Sequence, residues 1–189
     1  MAGLVQRTGP CRLRRGRGDH FAALAESILY QQLAGAAAAA IHARFVALFP
    51  DGFLPQAVLA LPEEALRGAG LSRFKATAIR DLAAKVLDGT VPLQDIHRLT
   101  DDEIVARLAA VRGIGRWTGE MFLIFQLRRL DVWPVDDYGV RKGYALAYGL
   151  DGLPKPRDLQ AAGDRFRPYR TVAAWYCWRA VDTQLPGRA

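Results

Sequence analysis

The chain has 189 residues, 51% of them hydrophobic and 24% charged, and its 26 lysines and arginines against 19 aspartates and glutamates give a net charge of +7. This length and composition argue against a disordered chain and allow one domain or two small lobes, and the positive charge favours a polyanionic partner. Cys11 and Cys177 lack metal-ligand spacing and no apolar run has membrane-spanning length. We therefore expect no zinc or iron-sulfur site, no membrane partner and a cytoplasmic location.

The first twenty residues are rich in glycine and arginine. They include five arginines: Arg7, Arg12, Arg14, Arg15 and Arg17. So polar and flexible a composition predicts that residues 1–20 form a mobile basic arm rather than a packed element, with a terminus that has no role as the alternative. Residues 21–189 are expected to form the folded helical domain.

Helical periodicity begins directly after the arm. Apolar residues recur there at three- and four-residue spacing, namely Phe21, Leu24, Ala25, Ile28 and Leu29, and an alanine-rich stretch continues the helical preference over residues 36–49. Residues 57–70 predict a short helix ended by glycine. Ser72 then has the place of an N-cap for a helix that runs to about residue 87.

The second half of the chain continues in the same way. Thr100 and Glu103 form a capping-box pattern at the start of another helix. Four more helices are predicted over residues 116–128, 137–148, 156–166 and 168–181, with Pro168 in the first turn of the last one. No segment alternates apolar and polar residues as a strand does, so the expected fold class is all-α.

The most informative segment, residues 108–121, reads Leu-Ala-Ala-Val-Arg-Gly-Ile-Gly-Arg-Trp-Thr-Gly-Glu-Met. Gly113 and Gly115 flank Ile114 in a turn so tight that side chains would obstruct its backbone or an approaching ligand. The turn's amides can point at a phosphate, and the start of the next helix and Arg116 add positive charge. This arrangement predicts binding to a nucleic-acid backbone without base reading, although a helix cap followed by a plain turn has the same short pattern.

Two adjacent carboxylates, Asp136 and Asp137, lie at the expected start of the next helix. The positive end of a helix favours the ionised form of a carboxylate. In that form a carboxylate can stabilise an oxocarbenium-like sugar and help to orient or activate a water, as in glycosyl transfer. N-capping is the alternative role, and because there are two acids, one can cap the helix while the other faces the reaction.

These segments resemble one enzyme family. Residues 111–121, followed by Asp131-Val-Trp-Pro-Val-Asp-Asp-Tyr-Gly-Val-Arg-Lys, are similar to the hairpin and catalytic loop of the 3-methyladenine DNA glycosylase II, or AlkA-type, branch of the helix-hairpin-helix glycosylases. The likeness extends to residues 28–33, 70–76 and 167–178, and so covers most of the chain beyond the arm. It implies a helical domain of two lobes with the active-site cleft between them, without the N-terminal β-domain of the longer AlkA enzymes.

The resemblance also implies roles for single residues. Asp137 is the expected catalytic residue, and Gln32 is the expected wedge that fills the gap left by a flipped nucleotide, with Gln31 as the alternative wedge. Ser72 and Lys75 are expected to contact the DNA backbone. The hairpin residues expected to hold a DNA phosphate are Arg112, Gly113, Ile114, Gly115 and Arg116, and the carbonyls of Arg112 and Gly115 are expected to bind a monovalent cation, Na⁺ or K⁺.

Aromatic residues are the candidates for the base pocket, because alkylated purines are cationic and bind to aromatic faces by stacking and cation–π attraction. Trp117 and Trp178 match aromatic positions of the family, and Tyr138 adjoins Asp137. Packing in the core is the alternative role for such residues. Trp117 also stands where the lyases of the superfamily carry a nucleophilic lysine, and tryptophan cannot form a Schiff base. The four-cysteine cluster of endonuclease III relatives is missing.

The predicted function is therefore that of a monofunctional DNA glycosylase in base excision repair. It flips an alkylated base such as 3-methyladenine out of double-stranded DNA and hydrolyses the glycosidic bond, leaving an abasic site. We expect it to need no cofactor, to act as a monomer and to be associated with the nucleoid. Two alternatives remain, a non-catalytic helix-hairpin-helix DNA-binding module and a glycosylase of other base specificity, whereas a helical scaffold explains neither the charge nor the glycine spacing.

Overall fold

The computed structural model describes residues 1–14, 19–33 and 35–183. In these ranges every regular element is a helix and no strand occurs, which confirms the predicted all-α fold class. None of these helices is long and apolar enough to cross a membrane. The α-helices of the described residues are, in chain order, α1 (Ala2–Thr8), α2 (His20–Tyr30), α3 (Gly35–Val46), α4 (Pro55–Ala60), α5 (Glu63–Gly68), α6 (Arg73–Leu87), α7 (Asp101–Ala109), α8 (Arg116–Met121), α9 (Tyr138–Tyr148), α10 (Pro156–Gly163) and α11 (Arg170–Asp182).

The described residues divide into two compact units. Residues 19–122 form the first, called here the hairpin unit because it contains the Gly-Ile-Gly turn. Residues 1–14 and 123–183 form the second, called here the aspartate unit because it contains Asp137. A π-helical turn, Phe122–Gln126, follows α8, and short 3-10 helices occupy Ile96–Arg98 and Asp164–Phe166.

The core of the hairpin unit forms around α2 and α6. The periodicity predicted for α2 is confirmed, because its apolar residues Leu24, Ile28 and Leu29 are fully buried, and α2 packs against α3 and α6. From α6, Ile79 and Leu82 are also fully buried. Complete burial of each such side chain stabilises the fold by about 1.5–3 kcal/mol. This core holds the end of α2, the start of α6 and the hairpin in fixed positions.

The aspartate unit is built on close packing of α9 against α11. A Cβ atom added to Gly143 of α9 would lie 1.8 Å from the carbonyl oxygen of Cys177 in α11, so only glycine permits this approach. The loop that precedes α9 is anchored as well, because the indole Nε1 of Trp133 donates to the carbonyl oxygen of Leu159 at 2.8 Å. Both features fix the backbone at the start of α9.

The prediction of a mobile basic arm is wrong for residues 1–14. Part of this segment forms α1, whose Leu4 is buried against Trp175 and Tyr176 of α11. The phenol of Tyr176 also donates to the carbonyl oxygen of Gly9 at 2.8 Å. The partners of Leu4 lie about 170 residues away along the chain, so the local composition gave no sign of this packing. Arg15 and Arg17 lie outside the described residues.

Helix starts were predicted better than helix ends and breaks. Ser72 is the N-cap of α6, and Thr100 and Glu103 form the expected capping box of α7. The helix predicted over 57–70 is two helices, because Pro62 disfavours the helical conformation at the residue before it. The last helix begins at Arg170 rather than at Pro168, with Tyr169 as its N-cap.

Candidate active site

Asp137 lies where a tight turn meets α9. Its amide donates to the carbonyl oxygen of Pro134 at 3.1 Å, and its carboxylate oxygen Oδ1 accepts from the amide of Val140 at 2.8 Å. Asp137 is therefore the N-cap of α9, while Asp136 is exposed in the preceding turn. The proposed division of labour, in which one acid caps and the other serves the reaction, is wrong, because the cap is the same carboxylate that was predicted to be catalytic.

A second donor reaches the same oxygen from α11. The indole Nε1 of Trp178 donates to Oδ1 of Asp137 at 2.8 Å, and the Trp178 ring stacks on Phe125 with centroids 5.6 Å apart and planes 21° apart. Gly139 makes room for this contact, since a Cβ atom there would lie 2.7 Å from Cδ1 of Trp178. The structure thus gives Trp178 a role in holding Asp137 that the stacking hypothesis did not include.

Tyr138 is the first residue of α9 and directly follows Asp137. Its side chain is 61% exposed, and the ammonium of Lys142, one turn further along α9, lies 5.9 Å from the ring centroid. A tyrosine this exposed is not a core residue. Stacking of Tyr138 on a base, which the sequence suggests, stays a prediction.

The predicted hairpin connects α7 to α8. Gly113 has a φ of +82°, a left-handed conformation that favours glycine. A Cβ atom added there would lie 3.2 Å from the ring of Phe74. The amide of Arg112 donates to Oδ2 of Asp81 at 2.7 Å, and the amide of Ile114 donates to the carbonyl oxygen of Val111 at 3.0 Å. These two hydrogen bonds hold the backbone of the hairpin turn in place.

Three other hairpin amides are open. In the described part of the chain, the amides of Gly113, Gly115 and Arg116 donate to no backbone or side-chain acceptor. The Arg116 side chain is mostly exposed and pairs with Glu120 at 2.9 Å. Open amides beside a guanidinium can bind an anion such as a phosphate.

Asp81 supports the hairpin as an ionised carboxylate. Burial alone would raise its pKa, but the hydrogen bond from the Arg112 amide and the ammonium of Lys85 together bring the pKa of Asp81 below its usual value. A charged acceptor makes a stronger bond to the hairpin backbone than a neutral one would.

The predicted wedge residues and Trp117 border one cavity in the hairpin unit. The cavity has a volume of about 460 Å³ and its walls carry no charged side chain. It is lined by Ser27, Tyr30, Gln31, Gln32, Trp117, Thr118 and Met121. Trp117 is 47% exposed. The structure therefore brings Trp117 and the two glutamines together.

Gln31 and Gln32 differ in conformation. The side-chain Nε2 of Gln31 donates to the carbonyl oxygen of Gly113 at 2.9 Å, which ties this residue to the hairpin. Gln32 is exposed and has a φ of +56°, which is uncommon for a residue other than glycine. Of the two, Gln32 is the residue whose side chain is presented at the surface.

Lys75, a predicted contact of the DNA backbone, is engaged within the fold. Its ammonium donates to the carbonyl oxygens of Leu29 and Gln31 at 2.7 and 2.8 Å. Ser72 is partly engaged as well, since its hydroxyl oxygen caps α6 by accepting from the Lys75 amide. The contacts of Ser72 and Lys75 with DNA stay predictions.

A family model agrees with this geometry. Residues 25–168 match the model described as "HhH-GPD superfamily base excision DNA repair protein", and they include the hairpin and Asp137. The chain belongs to the HhH-GPD superfamily. The family resemblance predicted from the hairpin and the spaced aspartate is confirmed.

Individual relatives point to one branch of the HhH-GPD superfamily. The chain is 34% identical to DNA-3-methyladenine glycosylase 1 of Schizosaccharomyces pombe over 93% of this chain and 79% of the relative. It superposes on a DNA-3-methyladenine glycosidase from Bacillus halodurans with a TM-score of 0.90 and 33% identity, over 96% of this chain and 84% of the other. It also superposes on the S. pombe 3-methyladenine glycosylase in complex with abasic DNA, with a TM-score of 0.81 and 32% identity, over 100% and 93% of the two chains.

The hairpin of this HhH-GPD protein offers carbonyl oxygens to a cation. The carbonyl of Gly113 is engaged by Gln31, and that of Gly115 accepts from the Gly119 amide at 3.1 Å but keeps a second lone pair. Neutral oxygen donors suit Na⁺ or K⁺, and the monovalent cation at the carbonyls of Arg112 and Gly115 stays a prediction. No group of three or more histidines, cysteines or acids that could hold a metal ion occurs among the described residues.

Sequence reasoning missed some residues of both candidate sites. Tyr30 and Met121 line the cavity beside Trp117, and Phe125 supports Trp178. Phe125 lies in the π-helical turn, where the helical register changes, so a regular helical wheel misplaces its side chain. Gly139 could have been found, because a glycine two residues after an N-cap is a poor helix former and signals a close approach.

Proposed function

We propose that this glycosylase excises alkylated purines such as 3-methyladenine from double-stranded DNA by hydrolysis and leaves an abasic site. The observation that carries the proposal is the carboxylate of Asp137, whose Oδ1 is held by the amide of Val140 and the indole of Trp178. The relatives that are 32–34% identical over nearly the whole chain are 3-methyladenine DNA glycosylases or glycosidases, which supports the same substrate class.

The carboxylate acts on the sugar. As the bond between C1′ and the base nitrogen breaks, its electron pair leaves with the base and positive charge develops on the sugar. An ionised Asp137 lowers the energy of that charge, and the two N–H donors keep the carboxylate from turning away. Water then forms the new bond to C1′ and releases its proton to a carboxylate or to solvent.

Aromatic stacking is the proposed means of base recognition. The electron pair that leaves with an alkylated purine neutralises the positive charge of its ring, so such bases are already good leaving groups. While still charged they are attracted to aromatic faces. The uncharged cavity that Trp117 borders in the hairpin unit suits a flat cationic ring. In the aspartate unit, the exposed Tyr138 is a separate candidate for stacking. Gln32, exposed at the rim of the cavity, is the proposed wedge in the gap that the flipped nucleotide leaves.

The hairpin holds the DNA backbone in this proposal. The open amides of Gly113, Gly115 and Arg116 receive a phosphate, and a monovalent cation at the carbonyls of Arg112 and Gly115 supplies further positive charge when bound. These contacts position the duplex without selecting a base sequence. The enzyme is proposed to act as a monomer.

The chemistry is proposed to be purely hydrolytic. Trp117 stands where a lyase carries its nucleophilic lysine and offers no amine for a Schiff base. Borohydride added during turnover should therefore trap no covalent adduct, and the product strand should stay intact at the abasic site.

The test is a panel of matched duplexes, each with one lesion, assayed for abasic sites under single-turnover conditions. We expect excision of 3-methyladenine and 7-methylguanine, and none of 8-oxoguanine or of mismatched thymine. Excision of only an uncharged lesion would replace the proposed substrate class. No excision from any duplex that the protein binds would favour the non-catalytic DNA-binding module.

A further inference from the structure

Lys75 belongs to α6 but caps the C-terminal end of α2. It lies in the first turn of α6, and its ammonium donates to the carbonyl oxygens of Leu29 and Gln31, at 2.7 and 2.8 Å, where α2 ends. The last four carbonyls of a helix have no partner within it, and glycine in a left-handed conformation commonly ends the helix and satisfies them. Gln31 and Gln32 follow α2 instead, so the lysine supplies what a glycine cap would.

The charge of Lys75 suits this place. A cation is favoured at the negative C-terminal end of a helix, and hydrogen bonds from an ammonium are stronger than those from a neutral donor. Partial burial lowers the pKa of Lys75 from its usual value, which agrees with an ammonium that faces protein rather than solvent. Two of its three N–H donors are already used.

The contact holds Gln31 from two sides. The carbonyl oxygen of Gln31 accepts from Lys75, and its side-chain Nε2 donates to the carbonyl oxygen of Gly113 at 2.9 Å. The next residue, Gln32, is exposed and has a φ of +56°, a conformation that only its neighbours can enforce in a residue with a side chain. The backbone that carries Gln32 is therefore tied to α6 and to the hairpin at once.

We infer that Lys75 is a positioning residue for base flipping, which holds the Gln31–Gln32 turn so that Gln32 can enter the duplex, and that it is not a ligand of a DNA phosphate. Gln31 is the link between this turn and the hairpin rather than the wedge. The inference rests on the proposed role of Gln32 as the wedge.

The two roles of Lys75 predict different salt dependence. A lysine that neutralises a phosphate releases counterions, so its loss weakens binding to every duplex and lowers the slope of log Kd against log salt by about 1. A lysine that positions the wedge leaves that slope unchanged. Its loss weakens only the binding of DNA in which a nucleotide is flipped or absent.

The experiment compares Lys75→Met and Gln31→Met with Arg73→Met, an exposed cation in the same turn of α6. Each variant is titrated with undamaged duplex over a range of salt and with a duplex that carries an abasic-site analogue. For Lys75→Met we expect an unchanged slope, undamaged-duplex affinity within about twofold, and about tenfold weaker binding of the abasic analogue, the effect of losing charge-assisted hydrogen bonds. Gln31→Met, which changes no charge, should show the same pattern to a smaller degree.

A slope lowered by about 1 in Lys75→Met, with equal losses for both duplexes, would overturn the inference. A double-mutant cycle with Gln32→Ala separates it from the wedge proposal. If Gln32→Ala alone leaves abasic binding unchanged, the wedge proposal fails. If Gln32→Ala weakens abasic binding but its effect adds fully to that of Lys75→Met, the wedge stands and the positioning role fails. Should Lys75→Met not fold, Gln31→Met and its own cycle with Gln32→Ala decide between these outcomes.

Discussion

At the scale of single residues, the hydrogen bond between Trp178 and Asp137 links an aromatic residue to the proposed chemistry. Aromatic residues near a glycosylase site suggest stacking on a base, but the indole N–H of Trp178 is used to hold Oδ1 of the carboxylate at 2.8 Å. One ring face is covered by Phe125. Trp178 therefore serves as a hydrogen-bond donor, and its long, rigid side chain reaches from α11 to the start of α9.

Trp178→Phe separates these two roles. Phenylalanine keeps much of the stacking surface and loses the N–H donor, so we expect single-turnover excision to fall about tenfold, the effect of one hydrogen bond to a charged group. Binding to an abasic analogue should change by less than about twofold, a difference below 0.5 kcal/mol. Trp175→Phe, at a buried tryptophan on the same helix, is the matched control. An unchanged excision rate in Trp178→Phe would show that the bond does not position Asp137.

At the scale of elements, the loop before α9 depends on Asp131. Its carboxylate accepts from the side chains of Arg170 and Arg167, at 2.7 and 3.0 Å, and its backbone carbonyl accepts from Arg170 as well. Burial alone would raise the pKa of Asp131, but the hydrogen bonds from Arg170 and the two guanidinium charges lower it below its usual value. The ion pair ties α11 to the segment that leads to Asp137.

Asp131→Asn should destabilise the protein in a pH-dependent way. Because the pKa of Asp131 is lower in the folded state, its contribution is fully present above the unfolded value of about 4 and is lost as the pH falls through the folded value. The free energy of unfolding of the variant should thus be lower at pH 7, and the gap should narrow below about pH 4. Urea unfolding across pH 3–7 measures it, with Asp151→Asn as the control. A gap that is constant with pH would show that the charge of Asp131 is not what holds the loop.

Element starts were predictable here because caps are local, and several contacts were not because they join distant residues. Ser72 and Thr100 are N-caps that could be predicted from their residue types and from their spacing to the following helical residues. In contrast, Lys75 reads as a surface cation until the end of α2 is placed beside it, 44–46 residues away in sequence. The π-helical turn after α8 had no composition signal, and it determines the position of Phe125.

At the scale of the whole molecule, the net charge of +7 bears on association with DNA. The affinity for undamaged duplex should fall on the order of 100-fold between about 50 and 200 mM salt, because each neutralised phosphate releases counterions. Fluorescence anisotropy with a labelled duplex measures this slope, and Arg116→Gln should lower it by about 1. An affinity that does not vary with salt would be inconsistent with phosphate binding by the hairpin.

The chain as a whole was predictable in class and family but not in its terminal packing. The all-α class was predicted from periodicity, and the family was predicted from the hairpin and its spaced aspartate. The burial of Leu4 against α11 was not predicted, because its partners lie near the other end of the chain. Only the structure shows which residue of the Asp136–Asp137 pair caps α9, because both are aspartates at a position compatible with an N-cap.

The central claim is that the charge of Asp137 drives the reaction, and single-turnover excision of 3-methyladenine by Asp137→Asn tests it most directly. Asparagine keeps the shape and can still accept from the Val140 amide, so the fold and binding of an abasic analogue should survive. Excision should fall about 100-fold or more, because the charge that stabilises the sugar cation is gone. Asp136→Asn, at the exposed neighbour, should retain nearly normal excision. A normal rate in Asp137→Asn, or a loss confined to Asp136→Asn, would contradict the account.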